Sequence, residues 1–263
     1  MGSEKASGAA LAIRKNGLSE RFAKHYWIWR LYHLLVADAV AIQRPTKHRL
    51  VRNFLGNSLG IAVDIGCGPG VFTRYVARRS KHLISLDIDC DSLERVKSRH
   101  RSLHNAYFVA TSVIPLPLPN ERVDTVLFLE VLEHLVDDSA ALGEICRVLR
   151  PGGRLIISVP VPPGEVNEEC EWGHKREGYE LLEIVQLLTA SGFEVISHAF
   201  AEFTFSRRAL QAVRWWRQAI RLPAPIFLSW IAHLDHFLAS TKTETGSHSP
   251  ATVLVMARRK LRI

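Results

Sequence analysis

The sequence predicts an α/β fold, a mainly parallel sheet with helices on both faces. Three observations carry this. Short apolar runs alternate with amphipathic stretches of helical spacing, the pattern of repeated strand–helix units. The first apolar run opens straight into a glycine-rich turn, AVDIGCGPGVF at residues 62–72. A later run ends in an acid, Asp87, and parallel sheets gather their ligand contacts at such carboxyl ends.

The elements follow in order. Leu59 to Asp64 reads as a buried strand, and GVFTRYVARRS from Gly70 has helical spacing. HLISLDID is a second strand ending at Asp87, and DSLERVKSRH is a helix with Asp91 as its N-cap. NAYFVAT is a third strand, and Pro115, Pro117 and Pro119 exclude a helix after it. Val123 to Leu129 is the fourth. DDSAALGEICRVLR is a helix that Pro151–Gly153 ends, and RLIISVPVP is the fifth strand. YELLEIVQLLTASGF is an amphipathic helix closed by Gly192, FEVISHAF a sixth strand and ATVLVMARR a seventh.

The chain has 263 residues, 47% of them hydrophobic, enough to bury the core of one large domain with appended helices. The expected division is an N-terminal helical cap over 1–58 and a main domain over 59–263, with a helical insertion or lid over 203–248. Charge follows the same division. Residues 1–58 and 200–263 each carry 10 basic and 3 acidic side chains, whereas 59–199 carries 14 and 20. All six tryptophans also lie outside 59–171. The four cysteines are widely spaced and no CxxC pair exists. A zinc site is not expected, no metal ligands are singled out, and a reducing, cytoplasmic location is. No apolar run reaches the ~20 residues of a membrane-spanning helix.

The glycine turn has the pattern Asp64-x-Gly66-x-Gly68-x-Gly70. A strand–glycine turn–helix unit lets backbone approach a nucleotide-like ligand. The spacing differs from the G-x-G-x-x-G of dinucleotide sites. Asp87, at the end of the second strand, suits a ribose diol.

VDIGCGPG, LDID, LPLPNERVDTVLFLEVLEHLVD and VLRPGGRLIISVP together resemble the successive motifs of class I S-adenosylmethionine-dependent methyltransferases. The resemblance is nearest to the small-molecule branch that includes ubiquinone and menaquinone biosynthesis enzymes, and it covers about residues 59–199. It implies a Rossmann-like seven-stranded sheet whose last strand runs antiparallel between the fifth and sixth. It implies S-adenosylmethionine as cofactor. Asp64 and the turn Gly66, Cys67, Gly68 and Gly70 would hold its methionine part. Asp87 would bind the ribose, with Ile88 beside the adenine. Thr111 and Ser112 stand where the family commonly has Gly-Asp, so Ser112 would replace a carboxylate as acceptor for the adenine amino group. Val113 would pack on the ring, and Glu130 and Val131 would lie beside the methionine and sulfonium.

Methyl transfer from a sulfonium needs alignment and exclusion of water, and a base only for some acceptors. Two histidines are candidate bases. His134, after the fourth strand, is assigned by the resemblance to orienting its loop. His174 lies in the loop after the fifth strand, at the edge where an acceptor arrives.

The ends would choose the acceptor. KHYWIWRLYHLLVADAV at 24–40 is apolar nearly all round. RRALQAVRWWRQAIRL at 207–222 sets Arg214, Arg217 and Arg221 beside an apolar face. Arginine beside tryptophan suits a membrane surface, phosphate contact, or an ordinary solvated helix edge. The expectation is a methyltransferase for a small-molecule or lipid-linked acceptor, with peripheral membrane contact through 207–238. An RNA or protein methyltransferase is the alternative, weakened by the absence of a [DNS]-PP-[YFW] motif after the fourth strand. A non-catalytic S-adenosylmethionine-binding partner subunit is another.

Overall fold

The computed structural model describes residues 45–162, 173–203 and 250–261. The apolar stretch 24–40, the arginine–tryptophan stretch and nearly all of the insertion, with the membrane contact at 207–238, lie outside the described residues.

Seven strands form one sheet in the order β3-β2-β1-β4-β5-β7-β6. They are β1 (Gly60–Ile65), β2 (Ser80–Asp87), β3 (Ala106–Ala110), β4 (Val123–Leu129), β5 (Leu149–Pro160), β6 (Phe193–Phe203) and β7 (Pro250–Arg259). β1 to β5 pair in parallel, and β7 runs antiparallel between β5 and β6. This is the Rossmann-like arrangement that the motif order implies. β1 pairs with β2 on one side and β4 on the other. Strand order reverses there, so the switch point of the sheet lies where β1 and β4 end.

The central strands are apolar on both faces because both faces are covered. Val126, Leu127 and Phe128 in β4 are fully buried. Phe128 joins the core formed with α4 (Asp138–Val148) and α5 (Leu181–Ala190). Leu127 joins the opposite core, with α1 (Pro45–Leu55) and α2 (Thr73–Ala77). Val51 and Leu55 of α1 share this core with Ile156 and Leu254, so the helix covers the sheet directly. α3 (Cys90–Arg99) packs along β2 and β3.

Three local expectations are corrected. The helix after the glycine turn is five residues long, because Gly70 (φ +72°) holds the chain in a turn through Phe72. The N-cap of α3 is Asp89: its carboxylate accepts from the N–H groups of Asp91 (3.0 Å) and Ser92 (3.2 Å). Asp91 sits in the first turn instead, favourable beside the helix dipole. Pro151–Gly153 does not end a helix. α4 stops at Val148, and the three residues belong to β5 where its register with β4 shifts, an irregularity that tolerates proline.

Candidate active site

A cavity of about 820 Å³ opens at the carboxyl ends of β1, β2 and β4. Its floor is the turn after β1. Gly66 (φ +70°) takes a conformation that L side chains avoid, and a Cβ there would overlap the Val131 side chain. The N–H groups of Gly66 (2.8 Å) and Cys67 (3.0 Å) donate to the Leu86 carbonyl, fixing the turn against β2. The Gly68 N–H donates to Asp87 Oδ2 at 2.7 Å. Nothing stands within 4 Å of where a Gly68 Cβ would be, so that glycine leaves room in front of the turn.

The structure brings most of the sequence candidates to this cavity. Gly66, Gly68, Asp87, Ile88, Thr111, Ser112, Val113, Glu130, Val131 and His134 line it. Asp64, Cys67 and Gly70 are not on its wall. Asp64 is buried in β1, Cys67 is buried in the turn, and a Cβ at Gly70 would point at Val96. His174 is also off the wall and meets His134 edge to face, ring centroids 4.6 Å apart.

Polar groups in the cavity keep capacity for a ligand. Asp87 Oδ1 accepts from the Asp89 N–H at 3.0 Å, so each oxygen takes one bond and can accept another. The Ser112 hydroxyl donates to the Ile114 carbonyl at 2.8 Å, leaving its lone pairs to accept. Ile88 is 50% exposed, an apolar side chain open to the cavity.

The β4 end is strongly acidic. Glu130 has φ +55°, and its Oε1 accepts from Ser158 Oγ (2.8 Å) and pairs with Lys47 Nζ (2.6 Å). Lys47 reaches in from α1 and is itself buried. Burial and then the Asp87 charge push the Asp64 carboxyl up to about 7. Burial and then the Glu130 charge push Glu133 up to about 8. Burial and the two nearby aspartates push the Cys67 thiol up as well, so it is not an activated nucleophile.

Glu133 lies in a short 3-10 turn, Leu132–His134. Its side chain is fully buried, and neither carboxylate oxygen has a hydrogen-bond partner. The Lys175 N–H donates to the Glu133 carbonyl (2.8 Å), and the Tyr179 N–H to the Pro160 carbonyl (2.9 Å). Arg176 pairs with Asp138 at 3.2 Å, and the Tyr179 hydroxyl donates to the same carboxylate. These contacts hold the segment carrying His174 over the turn carrying His134.

Sequence reading passed over Lys47, Glu133 and Ser158. Glu133 had a signal: an acid next to Leu132 in the apolar run LEVLEHL. Lys47 and Ser158 had none, being ordinary residues of a helix and a strand until the fold brings them to Glu130.

Comparison with known proteins supplies the family. Residues 63–157 match the family model described as a methyltransferase domain. That stretch of the chain is similar to a methyltransferase domain, and the relatives that follow are named as S-adenosylmethionine-dependent methyltransferases. A probable S-adenosylmethionine-dependent methyltransferase of Mycolicibacterium smegmatis is 33% identical over 137 residues, 51% of this chain and 51% of that protein. A ubiquinone biosynthesis O-methyltransferase of a Bradyrhizobium species is 32% identical over 96 residues, 36% of this chain and 38% of that protein. The chain thus spans about half or less of these curated relatives. The N-methyltransferase NodS of Bradyrhizobium japonicum, solved with S-adenosyl-L-homocysteine, shares the fold at 17% identity. Its TM-score is 0.54, over 83% of this chain and 87% of that one. S-adenosylmethionine is the cofactor of this enzyme class, and the cavity offers chemistry that fits it: the half-exposed Ile88 side chain stands beside the Asp87 carboxylate, whose oxygens can each accept a further bond.

Proposed function

We propose that this protein transfers the methyl group of S-adenosylmethionine to a small-molecule or lipid-linked acceptor. The observation that carries the reading is the joined pair Gly68 and Asp87 at the floor of the cavity. The glycine leaves open space for the methionine part, and the carboxylate offers oxygens to the ribose hydroxyls. Ile88 and Val113 flank the adenine, and Ser112 accepts from its amino group. Glu130 and Val131 stand at the sulfonium end, where the acidic surroundings favour a cation. Asp64, Cys67 and Gly70 act from behind the wall, shaping the turn rather than touching the cofactor.

The bound cofactor supplies an already activated methyl group. The chain's own task is to align the acceptor with it and keep water out. A hydroxyl acceptor also needs its proton removed, and His134, on the wall, is the base in reach. The O-methyltransferase among the relatives supports an oxygen acceptor. The lipid-linked form of the acceptor rests on the basic, aromatic stretch 207–238, whose contact with anionic vesicles at low salt would be read by co-sedimentation.

Calorimetric titration with S-adenosylmethionine, and separately with NADH, tests the reading. Binding of the methyl donor alone, lost in Asp87→Ala, is the expected result. Binding of NADH in its place overturns it.

A further inference from the structure

We propose that Glu133, His134 and His174 form a divalent-cation site at the mouth of the cavity. The three side chains come from two separated segments, the turn after β4 and the segment before α5. One donor atom from each lies within 4.8 Å of the other two. His134 Nε2 is 4.0 Å from Glu133 Oε1. An ion bound to all three at about 2.1 Å needs donors about 3–3.5 Å apart. Small side-chain rotations close that gap.

The independent observation is the state of Glu133. Its side chain is 0% exposed, and both carboxylate oxygens lack a hydrogen-bond partner. A buried carboxyl left so costs several kcal/mol unless something binds it. Lys47 is committed elsewhere, to Glu130 at 2.6 Å. A cation held by Glu133 and two imidazoles would bind it. The backbone is already arranged for this, because the Lys175 N–H donates to the Glu133 carbonyl and brings the neighbouring His174 against the turn. Two imidazoles and one carboxylate favour Zn²⁺, Mn²⁺ or Fe²⁺ over Mg²⁺, which prefers oxygen.

Three protein ligands leave coordination positions open, as in catalytic sites. His134 also lines the cavity, so an open position faces the space where an acceptor arrives. Resting on the methyltransferase reading, the role of the ion is to bind an acceptor hydroxyl and lower its pKa. The hydroxyl proton leaves to water. The oxygen–methyl bond then forms as the sulfur–methyl bond of S-adenosylmethionine breaks, giving a methyl ether and S-adenosylhomocysteine. With the ion bound the histidines are its ligands, and the ion replaces His134 as the means by which the acceptor loses its proton.

The experiment is Mn²⁺ titration of the chelator-treated full chain, followed by the electron paramagnetic resonance of free Mn²⁺, with Zn²⁺ and Mg²⁺ as competitors. Saturable binding is expected, displaced by Zn²⁺ far better than by Mg²⁺. It should weaken by at least about 100-fold in His174→Ala and in Glu133→Gln. His134→Ala serves should Glu133→Gln not fold by circular dichroism. No bound Mn²⁺, or equal affinity in wild type and His174→Ala, overturns the site. S-adenosylmethionine titration of the same samples separates the two readings. A cation site without donor binding leaves the site standing and fails the proposed function, and donor binding without a cation does the reverse.

Discussion

The Gly68 N–H donates to Asp87 Oδ2 at 2.7 Å, tying the glycine turn after β1 to the acid that ends β2. Asp87 thus has two tasks in the fold. One oxygen fixes the turn, and the other accepts from the Asp89 N–H at 3.0 Å, fixing the entry to α3. A ribose bound here would meet a carboxylate already held in place by backbone, with little ordering left to do.

Asp87→Asn and Asp87→Ala should therefore differ. The amide keeps one acceptor oxygen, whereas alanine leaves both N–H groups unmet. A hydrogen bond to a charged group contributes about 1.5–3 kcal/mol. Donor affinity should drop about 10-fold in Asp87→Asn and at least about 100-fold in Asp87→Ala. Equal loss in both, by calorimetry, would show that charge alone matters.

Two glycines in the same turn should fail in different ways. A Cβ at Gly66 overlaps Val131, and its φ is +70°. Gly66→Ala should cost about 2–5 kcal/mol in urea unfolding, partly recovered with Val131→Ala. Gly68 has open space before it, so Gly68→Ala should cost only about 1–2 kcal/mol of stability at its φ of +49°. Its effect should appear instead as weakened donor binding. If Gly68→Ala binds the donor normally, the ligand does not approach that face of the turn.

These contrasts mark what could and could not be read from sequence. The place of the last strand came from the family resemblance, whereas the seven strands and the turn were legible because apolar runs and glycines are local signals. The length of α2 was not, since GVFTRYVARRS has helical spacing while Gly70 keeps its first residues in a turn. Asp89 and Asp91 are equally good caps on paper, and only the bend after Asp87 decides between them. At the site, residues on strand ends were legible by the carboxyl-end rule. The Glu130–Lys47–Ser158 contact was not, because it joins α1, β4 and β5. Nor was the grouping of Glu133 with His174, which depends on how the segment before α5 folds back.

Asp64 should make stability fall with rising pH. Burial and the Asp87 charge hold its carboxyl near 7, against an ordinary 3.8. Between those values the folded chain keeps a proton that the unfolded chain has released. The unfolded state binds fewer protons, so this contribution declines as pH rises through the window and levels off above about 7. Asp64→Asn does not titrate. From pH 4.5 to 8 its stability relative to wild type should grow by about 2–4 kcal/mol in urea unfolding. A constant difference over that range would show that Asp64 ionises normally in the folded chain.

The Lys47–Glu130 pair should couple α1 to the end of β4. Its side chains are 10% and 35% exposed, so removing one partner strands a poorly hydrated charge. Lys47→Met should destabilise more than Lys47→Met combined with Glu130→Gln, with a coupling of about 1–2 kcal/mol in a double-mutant cycle. Additive losses would mean the pair is held by packing alone.

Gly178→Ala tests how the segment carrying His174 is held. Gly178 has φ +140°, and a Cβ there would overlap the Pro160 carbonyl. That carbonyl accepts from the Tyr179 N–H at 2.9 Å, so the added methyl displaces the contact anchoring the segment to the end of β5. Tyr179 is fully buried beneath, and its hydroxyl donates to Asp138 at the start of α4. Tyr179→Phe removes only that bond and should cost about 1 kcal/mol. Gly178→Ala adds backbone strain and a clash and should cost about 2–4 kcal/mol. Donor affinity should be nearly unchanged, because none of the described residues 173–180 lines the cavity. Methyl transfer to an acceptor should fall more steeply, since His174 loses its place against His134. If turnover survives Gly178→Ala at the wild-type rate in a folded protein, the position of His174 does not matter to the reaction.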